Sequence, residues 1–419
     1  MTPSQTPLRL LFLTPFPPRL DGAHGGSRVI AQLLERLAER HHVGLICLRH
    51  PTEPSVDDRL RSRLELDEEV ERTDHERSHG SRALRRVRDR LHVVAGAPLW
   101  ATSLNVREFR RRLSAVLGSW GPDLVQIQYT AMGVYAPEVE AAGRPVVLWE
   151  PDPATNAAIE LGQLASGNRL LRRLDVRAWR RFERKVLGAV DAAVVFTERD
   201  ARVLAQQASR EPVVIPFGTD FTRRTFVDRA RDGDVLFVGN FVHPPNIDAA
   251  RRLVRDIFPL VHARHPDTTL HVVGDNPPYE LRAASNSVVN VTGRVPDPVP
   301  YVEQAAVVAA PIRFGGGMRV KVLEALAAGK PLVATALAVE GLDVADGDQF
   351  LAAETDEEFA DRISALLADR LLRERLGRQA RVWAEANLSW EGSVEAYEDL
   401  YARLLRAPRR PADTEPGLA

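Results

Sequence analysis

Short apolar, β-branched runs alternate with amphipathic stretches along nearly the whole chain. LRLLFLTP, HVGLICLR, DLVQIQY, PVVLWEP and AAVVFTE occupy the first half, and DVLFVGN, TTLHVVGD, VVNVTGRV, AAVVAAPI and PLVATAL the second. Between the first two runs, residues 27–40 (SRVIAQLLERLAER) place apolar side chains three and four apart, the spacing of a helix with one buried face. Near-continuous apolar strands separated by helices imply parallel sheets covered on both faces. Two such series predict two doubly wound α/β domains, joined near EPVVIPFGTD (211–220), where Pro, Gly and Asp cluster. The expected division is 1–212, 213–385, a closing helix within 386–405 and a loose Pro-rich tail over 406–419.

Composition narrows the class. With 419 residues, 44% hydrophobic and 27% charged, the chain suits a two-domain globular protein. Its net charge of −1 gives no overall drive toward nucleic acid or anionic lipid. The single cysteine, Cys47, rules out an internal disulfide and fits a reducing compartment. The opening MTPSQTPLRLLFLTPFPP has no basic leader and too short an apolar core for a signal or a span, so a cytoplasmic location is expected.

Candidate chemistry concentrates in FGGGMRVKVLEALAAGKPLVAT (314–335). Only three of the 56 basic residues are lysine (Lys185, Lys321 and Lys330), and two of the three fall here. AAVVAAPI reads as a strand, RFGGG as a loop, VKVLEALAA as a helix stopped by Gly329 and Pro331, and PLVAT as the next strand. Glycines at a strand-to-helix turn let backbone approach a ligand, and the free amides of the first turn form an anion site. Arg319 and Lys321, expected in that first turn, add positive charge where the helix end is already positive. A phosphate or diphosphate resolves the conflict. Glu324, three residues after Lys321, shares its face and suits sugar or ribose hydroxyls. The plainer alternative is a surface ion pair beside an ordinary turn; the combination GGG-M-R-x-K-x-x-E favours phosphate plus hydroxyl recognition.

The same stretch resembles the nucleotide-sugar signature of the GT-B glycosyltransferases, specifically glycosyltransferase family 4. FVGNFVHPPNIDAARRLVRDIFPLV resembles the opening unit of that family's donor domain, VVIPFGTD its interdomain linker, VTGRV its base-contacting loop and LTPFPPRLDGAHGGSRV its N-terminal glycine loop. The resemblance spans residues 8–400 and implies two Rossmann-like domains facing across a cleft. It also implies a nucleoside diphosphate sugar as donor, an acceptor hydroxyl, retention of anomeric configuration and no required metal or other cofactor. Donor contacts carried over by it are Gly25, Gly26, Gly239, Asn240, Arg294, Val295, Gly315, Gly316, Gly317, Met318, Arg319, Val320, Lys321 and Glu324. Arg319 and Lys321 would stabilise the leaving diphosphate. Two departures stand out. The family usually pairs two glutamates eight positions apart, and Gly316 stands at the first position. The family's Arg and Lys after the first donor-domain strand are also missing, the loop GNFVHPPN offering His243 and Asn246 instead. Arg319 and Lys321 can supply that charge from the other side.

For the acceptor proton, PVVLWEPDPATN offers Glu150 and Asp152 at a strand end, and the HGGS loop offers His24. The competing role for both carboxylates is to cap the helix ATNAAIELGQL. There is no Asp-x-Asp pair beside a strand end and no His/Cys cluster with ligand spacing, which favours a metal-independent reaction. Residues 72–120 hold eleven arginines against four acids, and 168–188 eight basic against two acidic residues. Both read as helices with arginine-rich faces, either solvated or set against an anionic inner membrane face. Sparse aromatics on them speak against nucleic acid. The rival functions are a nucleotide-sugar 2-epimerase-like isomerase and a non-catalytic nucleotide-sugar-binding protein.

Overall fold

The computed structural model of the protein describes residues 6–22, 25–72, 98–164, 169–223, 233–317 and 319–407. His24, Met318, the arginines between 77 and 90, and the tail beyond 407 lie outside the described residues. Seven strands form the first sheet: β1 (Arg9–Thr14), β2 (His42–Arg49), β3 (Leu66–Glu71), β4 (Leu124–Gln128), β5 (Val146–Trp149), β6 (Ala192–Val195) and β7 (Val213–Val214). Every pairing is parallel, in the order β3-β2-β1-β4-β5-β6-β7. Six form the second: β8 (Asp234–Val238), β9 (Thr269–Val273), β10 (Val289–Gly293), β11 (Val307–Ala310), β12 (Leu332–Ala334) and β13 (Leu351–Ala352). They too are all parallel, ordered β10-β9-β8-β11-β12-β13.

The apolar runs dictate this arrangement. In β1 five consecutive residues are buried, so both faces of the strand are covered. The helix Gly25–Leu37 buries Ile30, Leu33, Leu34 and Leu37, a stripe at helical spacing that packs back on the sheet. In the second sheet the helix Val320–Ala327 buries Val322, Leu323 and Ala325–Ala327 in the same way.

Two compact units result, Met1–Ile215 with Val394–Ala419, and Pro216–Ser393. Val213 and Val214 pair with β6, which keeps them in the first unit. The last helix, Trp390–Arg406, begins in the second unit and continues in the first. In the first unit its Tyr401 hydroxyl donates to Gln126 Oε1 at 2.5 Å, and Glu398 meets Arg40 at 3.1 Å and His41 at 3.2 Å. Tyr397 and Tyr401 are buried, so this segment is part of the first unit's core.

Candidate active site

In an open parallel sheet the loops diverge where the strand order reverses, and ligands occupy that crevice beyond the carboxyl ends. In the second sheet the reversal falls between β8 and β11, which pair directly, while β9 and β10 extend from one side and β12 and β13 from the other. The loops flanking it are those after β8, carrying Gly239, Asn240 and His243, and after β11, carrying the glycine triplet and Arg319. Gly315 has φ of 109°, and a Cβ there would come within 3.0 Å of Pro245 Cγ. The glycine loop thus lies against the head of the Pro244–Arg252 helix, an approach that only glycine allows. Gly274, after β9, has φ of 146°, and a Cβ on it would collide with the Gly239 carbonyl oxygen. Three successive strand ends are packed together by these contacts.

Arg319 is the N-cap of the Val320–Ala327 helix, one position before the first turn expected for it. Its guanidinium donates to the carbonyl oxygens of Gly315 (2.5 Å), Gly316 and Gly317. The sequence reading aimed this cation at an anion alone; the structure also makes it the clamp that shapes the loop. Planar N–H groups in a fixed fork suit several carbonyls at once.

Lys321 is the second residue of the helix and half-buried. Its Nζ donates to Asn246 Oδ1 and lies 5.2 Å from the centroid of the Phe237 ring. Asn246 Nδ2 in turn donates to the Asn240 carbonyl at 2.7 Å, and Asn240 Oδ1 accepts from Val242 N at 3.0 Å. Desolvation, then the Arg319 charge, push the Lys321 ammonium down to about 7, with Glu324 pulling the other way. His243 is held below the ordinary imidazole value by desolvation and by the Lys321 charge. Lys321, Asn246, Asn240, His243, Arg319 and Glu324 are therefore one electrostatic cluster. Gly316 and Val320 lie within the same loop and first turn. Arg294 is exposed and, with Val295, follows β10, two strands from β8 on the same carboxyl edge.

The first sheet reverses between β1 and β4. Tyr129, directly after β4, has φ of 70°, a left-handed backbone that a bulky side chain rarely adopts. Its ring lies 5.6 Å from Phe16, 5.8 Å from Trp100 and 5.6 Å from Trp149, all edge-on. Beside it Glu150, 2% exposed, accepts from Thr130 N at 2.7 Å through Oε2 and from Asp152 N at 3.4 Å through Oε1. Burial is the main cause that lifts its carboxyl to about 8. Neither amide belongs to the helix Ala154–Leu164, the element the alternative reading had Glu150 capping. There the Thr155 amide is met by Glu183 Oε1 at 3.4 Å. Gly25 and Gly26 open the helix after β1, where Ser27 Oγ accepts from Arg19 N at 3.0 Å and donates to Pro17 O at 3.2 Å.

Tyr129, Glu183, Phe237 and the role of Asn246 were not anticipated. Only the position of Tyr129 at a strand end carried any signal, and it required knowing the strand order. Among the described residues no three His, Cys, Asp or Glu side chains converge as a metal site.

Comparison with known proteins follows the same division. The family described as "Glycosyl transferase 4-like domain" matches residues 24–218, and "Glycosyl transferases group 1" matches residues 232–369. No curated protein sequence matches. Among solved structures, sucrose-phosphate synthase from Thermosynechococcus elongatus is similar with a TM-score of 0.72 at 17% identity, covering 96% of this chain and 100% of that one. WaaG, a glycosyltransferase involved in lipopolysaccharide biosynthesis, is similar at 0.63 and 15%, covering 94% and 99%. HepE of Anabaena in complex with UDP and glucose is similar at 0.59 and 14%, covering 94% and 99%. At these identities the likeness is one of fold.

Proposed function

Because the chain belongs to the GT-B glycosyltransferases, group 1 and family 4-like, we propose that it moves a sugar from a nucleoside diphosphate sugar to an acceptor hydroxyl with retention and without a metal. The observation that carries this is the cationic cluster of Arg319, Lys321 and the N-terminus of the Val320–Ala327 helix, which has no side-chain cap, at the reversal between β8 and β11. In the reaction the anomeric C–O bond breaks and the diphosphate departs with its electron pair. The acceptor oxygen bonds to the anomeric carbon, and its proton passes to the leaving phosphate oxygen. Charge grows on the diphosphate as the bond stretches, so fixed amides and Lys321 favour the transition state over the bound donor. Those groups do the work a divalent cation would otherwise do, which supports metal independence. The complex of the HepE neighbour with UDP and glucose supports a uridine donor as the first to try.

Glu150 enters as a positioning group. With its carboxyl lifted to about 8 it is mostly protonated at neutral pH and is a poor base. It holds the Tyr129–Thr130 turn and the Asp152 amide in place, leaving Asp152 as the group to orient the acceptor on the first unit. Titration of the protein with UDP-sugars and GDP-sugars, followed by turnover with candidate acceptors in the presence of a chelator, tests the reading. Donor consumption that needs an acceptor and survives chelation supports it. Conversion of donor without acceptor points to the isomerase, and binding without turnover to the non-catalytic alternative.

A further inference from the structure

The two arginine-rich helices singled out in the sequence differ in how their charges are met. On Arg107–Ser119, Arg111 pairs with Glu108, Arg112 with Glu108 and Glu68, and Arg110 with Glu138. On Arg169–Ala189, the side chains of Arg173, Arg177, Arg180, Arg181, Arg184 and Lys185 are all exposed, and among the described residues none has an ion-pair partner. At ~100° per residue these six fall within ~140° of arc, and from first to last they run ~18 Å along the axis. Five of them line a hollow of ≈ 350 Å³. The opposite side of the same helix buries Ala178, Trp179, Glu183, Val186 and Leu187.

An unneutralised stripe is unfavourable for the isolated molecule, and the other arginine-rich helix provides the contrast, with Arg110, Arg111 and Arg112 each paired to a carboxylate. We infer that the Arg169–Ala189 helix seats the first unit on a bilayer surface containing anionic phospholipid. A straight row of cations meets a plane with all six charges at once, and each gains from the negative surface potential. The helix turns Trp179 and Phe182 toward the core, so the stripe offers no ring on which bases could stack, which disfavours nucleic acid. Among the described residues the arc carries one large apolar side chain, the half-buried Leu174, so the contact is chiefly electrostatic, peripheral and sensitive to salt. Among the described residues no helix is long and apolar enough to cross a membrane.

The placement bears on the acceptor. Trp179, on the other side of the helix from the stripe, lies 6.2 Å from Trp100, itself 5.8 Å from Tyr129, so the helix that carries the stripe packs against the aromatic group beside Glu150. A lipid-carried acceptor would be delivered to that group. This consequence rests on the glycosyl-transfer reading; the docking does not, so vesicle capture and donor turnover fail separately.

The test is flotation of the full chain with phosphatidylcholine vesicles and with equimolar phosphatidylcholine–phosphatidylglycerol vesicles. Measurements at ~0.1 M and ~1 M salt set screening lengths of ~10 Å and ~3 Å. Capture on the anionic vesicles alone, lost at high salt, is expected. The R177E/R181E/R184E variant should lose capture at least tenfold and R177Q/R181Q/R184Q by less, both keeping the wild-type melting temperature and nucleotide binding. Equal capture on both vesicles, no capture, an unaffected charge-reversed variant, or tighter binding to random-sequence duplex DNA than to anionic vesicles each overturns the proposal.

Discussion

The ammonium of Lys321 is held by the side-chain oxygen of Asn246, a residue 75 positions earlier in the chain and on the other side of the strand reversal. This bond joins the two loops that flank the crevice. It places a desolvated cation between a neutral amide and an aromatic face, with no carboxylate bonded to it among the described residues. The charge is therefore available to a ligand and is only partly formed at neutral pH.

Donor binding should take up a proton. In the free protein Lys321 sits at about 7, and a diphosphate beside it restores the ammonium to a higher value. Affinity for UDP should be greatest below about pH 7 and decline as pH rises through that value, until the value in the complex is passed. Calorimetry in two buffers of different ionisation enthalpy will measure the uptake, which should vanish in Lys321→Met. An affinity flat from neutral to alkaline pH would place the anion elsewhere.

Asn246→Ala should weaken UDP roughly tenfold, in line with ~1.5 kcal/mol for a hydrogen bond to a charged group. The amide has two jobs, orienting Lys321 and tying back Asn240. Asn246→Asp separates them: the added negative charge should raise Lys321 and move the pH dependence upward, while repelling the diphosphate. A pH profile identical in wild type and Asn246→Asp would show that the two side chains are not coupled in solution.

Arg319 allows a sharper distinction between charge and shape. If its contribution were charge alone, Arg319→Lys would bind UDP nearly as well as wild type. The guanidinium instead reaches three consecutive glycine carbonyls, a geometry a single ammonium cannot reproduce. Arg319→Lys and Arg319→Ala are therefore expected to lose affinity by similar factors, both above tenfold by calorimetry, whereas Lys321→Arg should keep a measurable part of it.

How much of this was legible in the sequence depends on distance along the chain. The alternation of LRLLFLTP, HVGLICLR and their successors with helical stretches is a local signal, and it carried the two parallel sheets. The glycine triplet with Arg319, Lys321 and Glu324 lies within ten residues, so its chemistry could be read as a motif. What could not be read was pairing at long range. Asn246 meets Lys321 because β8 pairs with β11, while Tyr129 meets Trp100, and Glu183 meets Thr155, through the packing of separate helices and loops, and no local spacing encodes any of the three. The same limit explains Glu150. Its identity suggested a base, but burial, a property of the folded unit, lifts its carboxyl to about 8 and recasts its role.

Glu150→Gln tests that recasting through stability and activity together. The folded carboxyl is raised from 4.5 to about 8, so between those values the folded protein holds a proton that the unfolded chain releases. Stability contributed by the protonated form is therefore complete below about pH 4.5 and is lost as pH rises toward 8. Glutamine is nearly isosteric, keeps an acceptor for the Thr130 amide and never ionises. Its melting temperature should match wild type near pH 5 and exceed it near pH 8, measured by scanning calorimetry at several pH values. As a positioning group it should also tolerate the change with kcat within a few-fold of wild type, whereas removal of a catalytic base typically costs 10²–10⁴-fold. A collapse in kcat with an unchanged melting profile would return Glu150 to the role its sequence position first suggested.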